Sequence, residues 1–124
     1  MEFLIIEPSI DTPAVSMDAE KGHIEISGKS YPEDTLEFYA PILQWMNDYV
    51  ENPRPSSKLV FKLIYFNSSS YKPIFDLIRK MDELRQKNMA VTVEWHCKGG
   101  DTDMKEIGQE LAEIANISFD YYSF

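Results

Sequence analysis

The stretch KLVFKLIYFNSSSYKP, residues 58 to 73, contains a long apolar run that stops abruptly at three serines. Its first part is rich in β-branched and aromatic residues, which is typical of a strand that is covered on both faces in the middle of a sheet. Residues 67 to 70 then supply side-chain oxygens that can accept hydrogen bonds from the first N–H groups of a helix, and Pro73 suits a first helical turn. The stretch therefore predicts a buried strand that leads directly into a helix.

The polar residues at this junction have two interpretations. In parallel α/β proteins the carboxyl ends of strands and the adjacent helix N-termini are where functional groups gather. A run of Ser and Asn between two elements is also, very commonly, only a helix cap and a loop. The hydroxyl groups are well placed for a functional role, but the triplet of serines alone does not distinguish a functional site from a helix cap.

The composition is that of one soluble globular domain: 124 residues, 44% hydrophobic and 27% charged. The net charge of -9 argues against nucleic acid and against anionic membranes as partners. The apolar runs are too short to span a bilayer and the N-terminus lacks a basic segment, so we expect neither membrane insertion nor a signal peptide. One cysteine, Cys97, cannot form an internal disulfide, which favours a cytoplasmic location.

Before this stretch, the pattern predicts a short first strand over residues 3 to 6 and a hairpin that pairs residues 14 to 18 with residues 24 to 27. The segment GKSYPE, residues 28 to 33, predicts a helix start, because Ser30 and Glu33 have the spacing of a capping box and Pro32 would lie in the first turn.

The helix that follows carries a broad apolar stripe and contains Pro41, which removes one backbone hydrogen bond. We therefore expect a kink or two abutting helices there.

After the serines, a second amphipathic helix is predicted to end at Asn88. A strand over residues 89 to 96 should lie beside the core strand, and Asp103 and Glu106 are spaced to cap a third helix. A closing strand follows over residues 117 to 122. This alternation implies right-handed crossovers and a fold of the α/β class: a single domain, residues 1–124, with a mixed four- to five-stranded sheet and about three helices.

The sequence gives little support for a metal site or a cofactor site. His96 and Cys97 are neighbours on a strand and point to opposite faces, so they are poorly placed to share a metal ion. The sequence has no Gly-rich phosphate loop, and we predict neither a metal nor a cofactor.

A small serine hydrolase is the enzymatic alternative. It would use Ser68 or Ser69 with His96 and either Glu94 or Asp101, although no nucleophile-elbow pattern surrounds the serines. A hydroxyl at the start of a helix also suits a phosphorylation switch, because the helix N-terminus favours the added negative charge and a docked acidic surface does not.

A series of short motifs extends over nearly the whole chain. In order they are TP at residues 12 and 13, GKSYPE at 28 to 33, FYAPILQW at 38 to 45, YFNSSS at 65 to 70, VEW at 93 to 95, and DTDM at 101 to 104 with Glu106 and Gly108. In this order and spacing they resemble the SiaC family of bacterial regulatory phosphoproteins, whose fold is similar to that of STAS-type anti-sigma factor antagonists.

The resemblance implies a phosphate acceptor directly after the Asn of the YFN segment, which is Ser68, where family members typically carry Thr; Ser69 is the second choice. It further implies a partner switch: a serine/threonine protein kinase phosphorylates the protein, a PP2C-type phosphatase reverses this, and the unphosphorylated form binds and activates a diguanylate cyclase, which affects c-di-GMP signalling and biofilm formation. An anti-sigma factor antagonist is the alternative within binding proteins. The residues expected to border the docking face are Ser30, Tyr31, Pro32, Glu33, Asn67, Ser69 and Ser70.

Overall fold

The computed structural model of the protein describes residues 3 to 124, so Met1 and Glu2 lie outside the described residues. Within this range six strands and three helices follow one another. They are β1 (Leu4–Ile6), β2 (Ala14–Asp18), β3 (His23–Ser30), α1 (Thr35–Glu51), β4 (Ser56–Phe66), α2 (Ser68–Gln86), β5 (Ala90–Cys97), α3 (Thr102–Ala115) and β6 (Asp120–Ser123). The predicted order of elements is confirmed, with one strand more than the four or five expected.

The six strands form one sheet in which spatial order equals chain order, β1-β2-β3-β4-β5-β6. The predicted hairpin is confirmed, because β1, β2 and β3 pair antiparallel. The remaining strands pair in parallel: β4 pairs with β5, as expected, and with β3 on its other side. The sheet is therefore mixed, with its parallel part built from three successive strand–helix–strand units.

The prediction that β4 is covered on both faces is wrong. Right-handed crossovers that all step in one direction across a sheet place their helices on the same face. Leu59, Phe61 and Leu63 accordingly point into the core beneath the helices. On the opposite face Val60 is buried, but Lys58 and Ile64 on either side of it are exposed. The molecule is a two-layer α/β domain with one sheet face open.

The predicted start of α1 is also wrong. Ser30 ends β3, and the helix begins five residues later with Asp34 as its N-cap, whose Oδ1 accepts a hydrogen bond from the N–H of Glu37 at 3.0 Å. Ser30 and Glu33 therefore form no capping box. Pro41 does not divide the helix, which is continuous from Thr35 to Glu51 with Pro41 on its exposed side.

Three further helix ends differ in detail from the predictions. Pro73 lies in the second turn of α2, not in the first. The C-cap of α2 is Lys87, and Asn88 follows it with a positive φ of 64°. The N-cap of α3 is Asp101, whose side chain accepts from the N–H of Met104, so Asp103 and Glu106 do not cap this helix.

Candidate functional site

The serine-rich junction lies where β3 and β4 end side by side. The backbone N–H of Asn67 donates to the carbonyl of Ser30 at 3.0 Å, which joins the end of β3 to the start of α2. Two of the predicted site segments, residues 30 to 33 and residues 67 to 70, are thereby brought together at the carboxyl edge of the parallel strands.

Asn67 is the N-cap of α2, as the sequence predicts. Its Oδ1 accepts from the backbone N–H of Ser70 at 3.1 Å, and the hydroxyls of Ser69 and Ser70 lie 3.1 and 2.8 Å from the same oxygen. One amide oxygen thus holds the first turn of the helix together.

The three serines occupy different environments. Ser70 is fully buried. Ser69 is exposed, but its hydroxyl lies 3.1 Å from Asn67 Oδ1 and 2.7 Å from Thr35 Oγ1. Ser68 is the first residue of α2 and is exposed, and no hydrogen bond joins its hydroxyl to another residue between 3 and 124. Of the three, Ser68 has the hydroxyl that an external reactant can reach without first breaking a hydrogen bond.

A buried chain of hydroxyls lies beneath this surface. Ser30 Oγ is 2.6 Å from the Tyr39 hydroxyl and 2.9 Å from Ser70 Oγ, and all three residues are at most 1% exposed. Burial raises the pKa of Tyr39, and the nearby hydroxyls of Ser30 and Ser70 act in the opposite direction. The chain links β3, α1 and α2, and so fixes the first turn of α2 against the core.

The N-terminus of α1 lies beside that of α2, because Thr35, the first residue of α1, contacts Ser69 through the hydroxyl pair at 2.7 Å. Unpaired N–H groups at helix N-termini favour negative charge. On α1 this end already carries Asp34 as N-cap and Glu37 in the first turn. On α2 the first turn has no acidic residue.

The remaining predicted docking residues are divided between core and surface. Pro32 is buried and Glu33 is exposed. Tyr31 is half-buried: its hydroxyl donates to the carbonyl of Ile10 at 2.7 Å and its ring meets that of Tyr65 edge-on, with centroids 5.8 Å apart. The buried side chains of Ser30, Pro32 and Ser70 therefore shape this surface from below and are not accessible to a partner.

Three exposed apolar side chains belong to the segments that meet at the junction, and none of them is among the predicted docking residues. Ile10 is 87% exposed, Leu36 is 86% exposed and Tyr65 is 51% exposed. The spacing of Leu36 places it on the buried stripe of α1, so its periodicity gives no sign of exposure. Thr35 was missed as well, since its contact with Ser69 joins residues 34 positions apart.

The side chains required for a serine hydrolase are not assembled. His96 Nε2 lies 2.8 Å from Glu94 Oε1 on the open face of the sheet, and its ring stacks on Tyr122. Across residues 3 to 124, no hydrogen bond connects His96 to Ser68 or Ser69. Asp101 is engaged as the cap of α3.

Comparison with known proteins places the chain in a family. The sequence model for SiaC family regulatory phosphoproteins matches residues 6–124. An uncharacterised protein of Pseudomonas aeruginosa strain UCBPP-PA14 is 27% identical over 119 residues, which covers 96% of this chain and 94% of that protein.

In the part of the chain that the structure describes, no helix combines the length and apolarity needed to cross a bilayer.

Two solved structures from Pseudomonas aeruginosa share the fold over nearly their full length. The crystal structure of apo-SiaC is 27% identical, with a TM-score of 0.85 over 99% of this chain and 98% of that one. SiaC in complex with the diguanylate cyclase SiaD, which it activates, is 26% identical, with a TM-score of 0.91 over 98% of this chain and 99% of that one. The sequence match and the shared fold agree, and this chain belongs to the SiaC family of regulatory phosphoproteins.

Proposed function

We propose that this protein is a non-enzymatic partner switch of the bacterial cytoplasm, in which Ser68 is the phosphate acceptor and the unphosphorylated form binds and regulates a diguanylate cyclase. The observation that carries the proposal is the state of the Ser68 hydroxyl, which is exposed and has no hydrogen-bond partner among residues 3 to 124. The complex of the relative SiaC with the cyclase SiaD supports the choice of partner.

The acceptor chemistry requires little of this chain. A serine/threonine protein kinase would transfer the γ-phosphoryl group of ATP to Ser68 Oγ: one O–P bond forms, the bond to ADP breaks, and the hydroxyl proton passes to a base of the kinase. A PP2C-type phosphatase would use water to release inorganic phosphate and restore the hydroxyl. The chain contributes the exposed position at the start of α2, where the helix N-terminus favours the added charge.

The exposed apolar side chains Ile10, Leu36 and Tyr65 form the docking surface in this proposal. Exposed apolar patches mark interaction sites, and tyrosine is one of the residue types enriched among the energetically dominant residues of protein interfaces. A phosphoryl group on Ser68, with a charge of about -1.5 to -2, would have to be desolvated when a partner covers it. Phosphorylation of Ser68 should therefore release the cyclase.

Intact mass spectrometry tests the acceptor. Protein isolated from its host should lose the mass of one phosphoryl group on phosphatase treatment, and peptide mapping should place that group on Ser68. The Ser68→Ala variant should remain unmodified, while Ser69→Ala, the matched control, should still be modified. Mapping of the phosphoryl group to Ser69 or to another residue would overturn the assignment.

Titration calorimetry with the diguanylate cyclase of the same host tests the docking surface. Leu36→Ser should weaken binding strongly, because it removes an apolar side chain beside the acceptor. Ile114→Ser, which alters a side chain 57% exposed on α3, is the matched control and should bind like the parent. Equal binding by both variants and by protein phosphorylated at Ser68 would contradict the proposed surface.

A further inference from the structure

Lys72 lies on the same face of α2 as Ser68, four residues further along the helix. Side chains four residues apart on a helix are neighbours. Lys72 is at present paired in the other direction: its Nζ lies 2.9 and 3.0 Å from the two carboxylate oxygens of Asp76. The Lys72 side chain, which is 79% exposed, thus lies between Ser68 four residues before it and the Asp76 carboxylate four residues after it.

From this arrangement we infer that the Lys72 ammonium group forms an ion pair with the phosphoryl group on Ser68, and that it leaves the Asp76 carboxylate to do so. The inference rests on the proposed phosphorylation of Ser68. The change of ion pair within α2 would occur in addition to the effect of phosphorylation on a docked partner.

Three physical differences between a phosphoryl group on Ser68 and the Asp76 carboxylate favour this change of partner by Lys72. An anion that precedes a lysine by four residues makes a better helical pair than one that follows it, so position 68 is preferred over position 76. The phosphoryl group carries about -1.5 to -2 charges, against one charge on the Asp76 carboxylate. An anion at the first position of the helix is also stabilised by the helix dipole, whereas Asp76 lies beyond the first turn.

The exchange would alter the groove between α1 and α2. Leu43 and Asn47 of α1 line this groove together with Lys72, Phe75, Asp76 and Arg79 of α2. The Asp76 side chain is about one-third exposed and would lose its cation when Lys72 turns to the phosphoryl group. The phosphorylated protein would thus present in this groove a carboxylate that has lost its Lys72 partner, more than one helical turn from the acceptor.

The test uses the full chain with phosphoserine inserted at position 68 by an expanded genetic code, and follows the phosphoryl group by ³¹P NMR as the pH is varied. Lys72→Met should raise the second pKa of the phosphoryl group, which corresponds to a change in proton affinity by a factor of about 2 to 5, because an i,i+4 cation stabilises the dianion. Asp76→Asn should move this pKa in the opposite direction, since it releases Lys72 from its competing partner.

Two control variants separate this effect from a general loss of positive charge. Lys80→Met removes a lysine of α2 that pairs with Glu83, and Lys29→Met removes the exposed lysine beside Ser30 on β3; neither should shift the pKa as Lys72→Met does. Asp34 and Glu37 on α1 act on the phosphoryl group equally in all variants. An unchanged pKa in Lys72→Met, or an equal shift in Lys29→Met, would overturn the inference. Because phosphoserine is inserted directly, a failure of Ser68 phosphorylation in the host would leave this result intact and would count only against the proposed function.

Discussion

The hydroxyl of Tyr39 lies 2.6 Å from Ser30 Oγ, in a part of the core that both side chains share with Ser70 and from which solvent is excluded. Removing one member of a buried hydrogen bond costs more than the bond itself contributes, because the remaining group loses its partner without gaining water. This relationship determines how variants near the first turn of α2 should behave.

Ser30→Ala should lower the free energy of unfolding by about 1 to 3 kcal/mol, since it deprives the buried Tyr39 hydroxyl of its partner, whereas Ser70 Oγ retains Asn67 Oδ1 and the backbone carbonyl of residue 30. Tyr39→Phe should cost less, because Ser30 retains Ser70 at 2.9 Å. Urea unfolding of the two single variants and of the double variant measures these changes in the free energy of unfolding. The double variant should lose less than the sum of the two, and strict additivity would show that the two hydroxyls are not coupled.

Asn67→Ala should destabilise the protein by about 1 kcal/mol, because it removes the cap of α2. Asn67→Asp keeps an oxygen for the N–H of Ser70 and adds a negative charge at a helix N-terminus, so it should retain the stability of the parent. Thermal unfolding followed by circular dichroism distinguishes them. Equal melting temperatures for the alanine and aspartate variants would exclude a capping role for this side chain.

Gly108→Ala should destabilise the protein although alanine is the better helix former. A Cβ atom on Gly108 would lie 2.5 Å from ring atoms of Trp95, which is fully buried and donates from Nε1 to the carbonyl of Met104. The overpacking should cost about 1 to 3 kcal/mol and should alter the near-ultraviolet circular dichroism of the indole. Gln109→Ala, at an exposed position of the same helix, is the control and should leave both measurements unchanged.

Glu94 should make the free energy of unfolding depend on pH in the acidic range. Its hydrogen bond with His96, followed by contacts with Lys58, holds the pKa of the Glu94 carboxyl below its ordinary value of 4.5, against the opposing effect of burial. A carboxyl whose pKa is lower in the folded state contributes stability that is complete above about pH 4.5 and is lost as the pH falls through the folded pKa.

The variant Glu94→Gln should therefore lose less stability between about pH 5 and pH 3 than the parent does. Urea unfolding at a series of pH values gives the comparison, with Glu106→Gln, a change at an exposed helical residue, as control. Parallel curves for parent and Glu94→Gln would refute the assignment.

The sequence allowed the order of elements to be predicted because each element has a strong local pattern. The apolar run that became β4 and the serines that begin α2 are examples, and so is the hairpin of β2 and β3. The start of α1 was mispredicted because Ser30 and Glu33 imitate a capping box, while the buried partners of Ser30 lie 9 and 40 residues away. Only the local part of the candidate site was predictable from the sequence: Asn67 is the cap of α2 as expected, but the contact of Thr35 with Ser69 and the exposure of Leu36 depend on how α1 approaches α2.

The agreement between strand order in the sheet and strand order in the chain bears on how the protein is synthesised. Each new strand pairs with the one made just before it, so no later segment has to be inserted between two strands that already pair. The chain can fold progressively as it leaves the ribosome, with pairing confined to neighbours in sequence. Ser68 begins the helix between β4 and β5, so both strands whose carboxyl ends meet at this site, β3 and β4, are made before it, and only β5, α3 and β6 are made after α2.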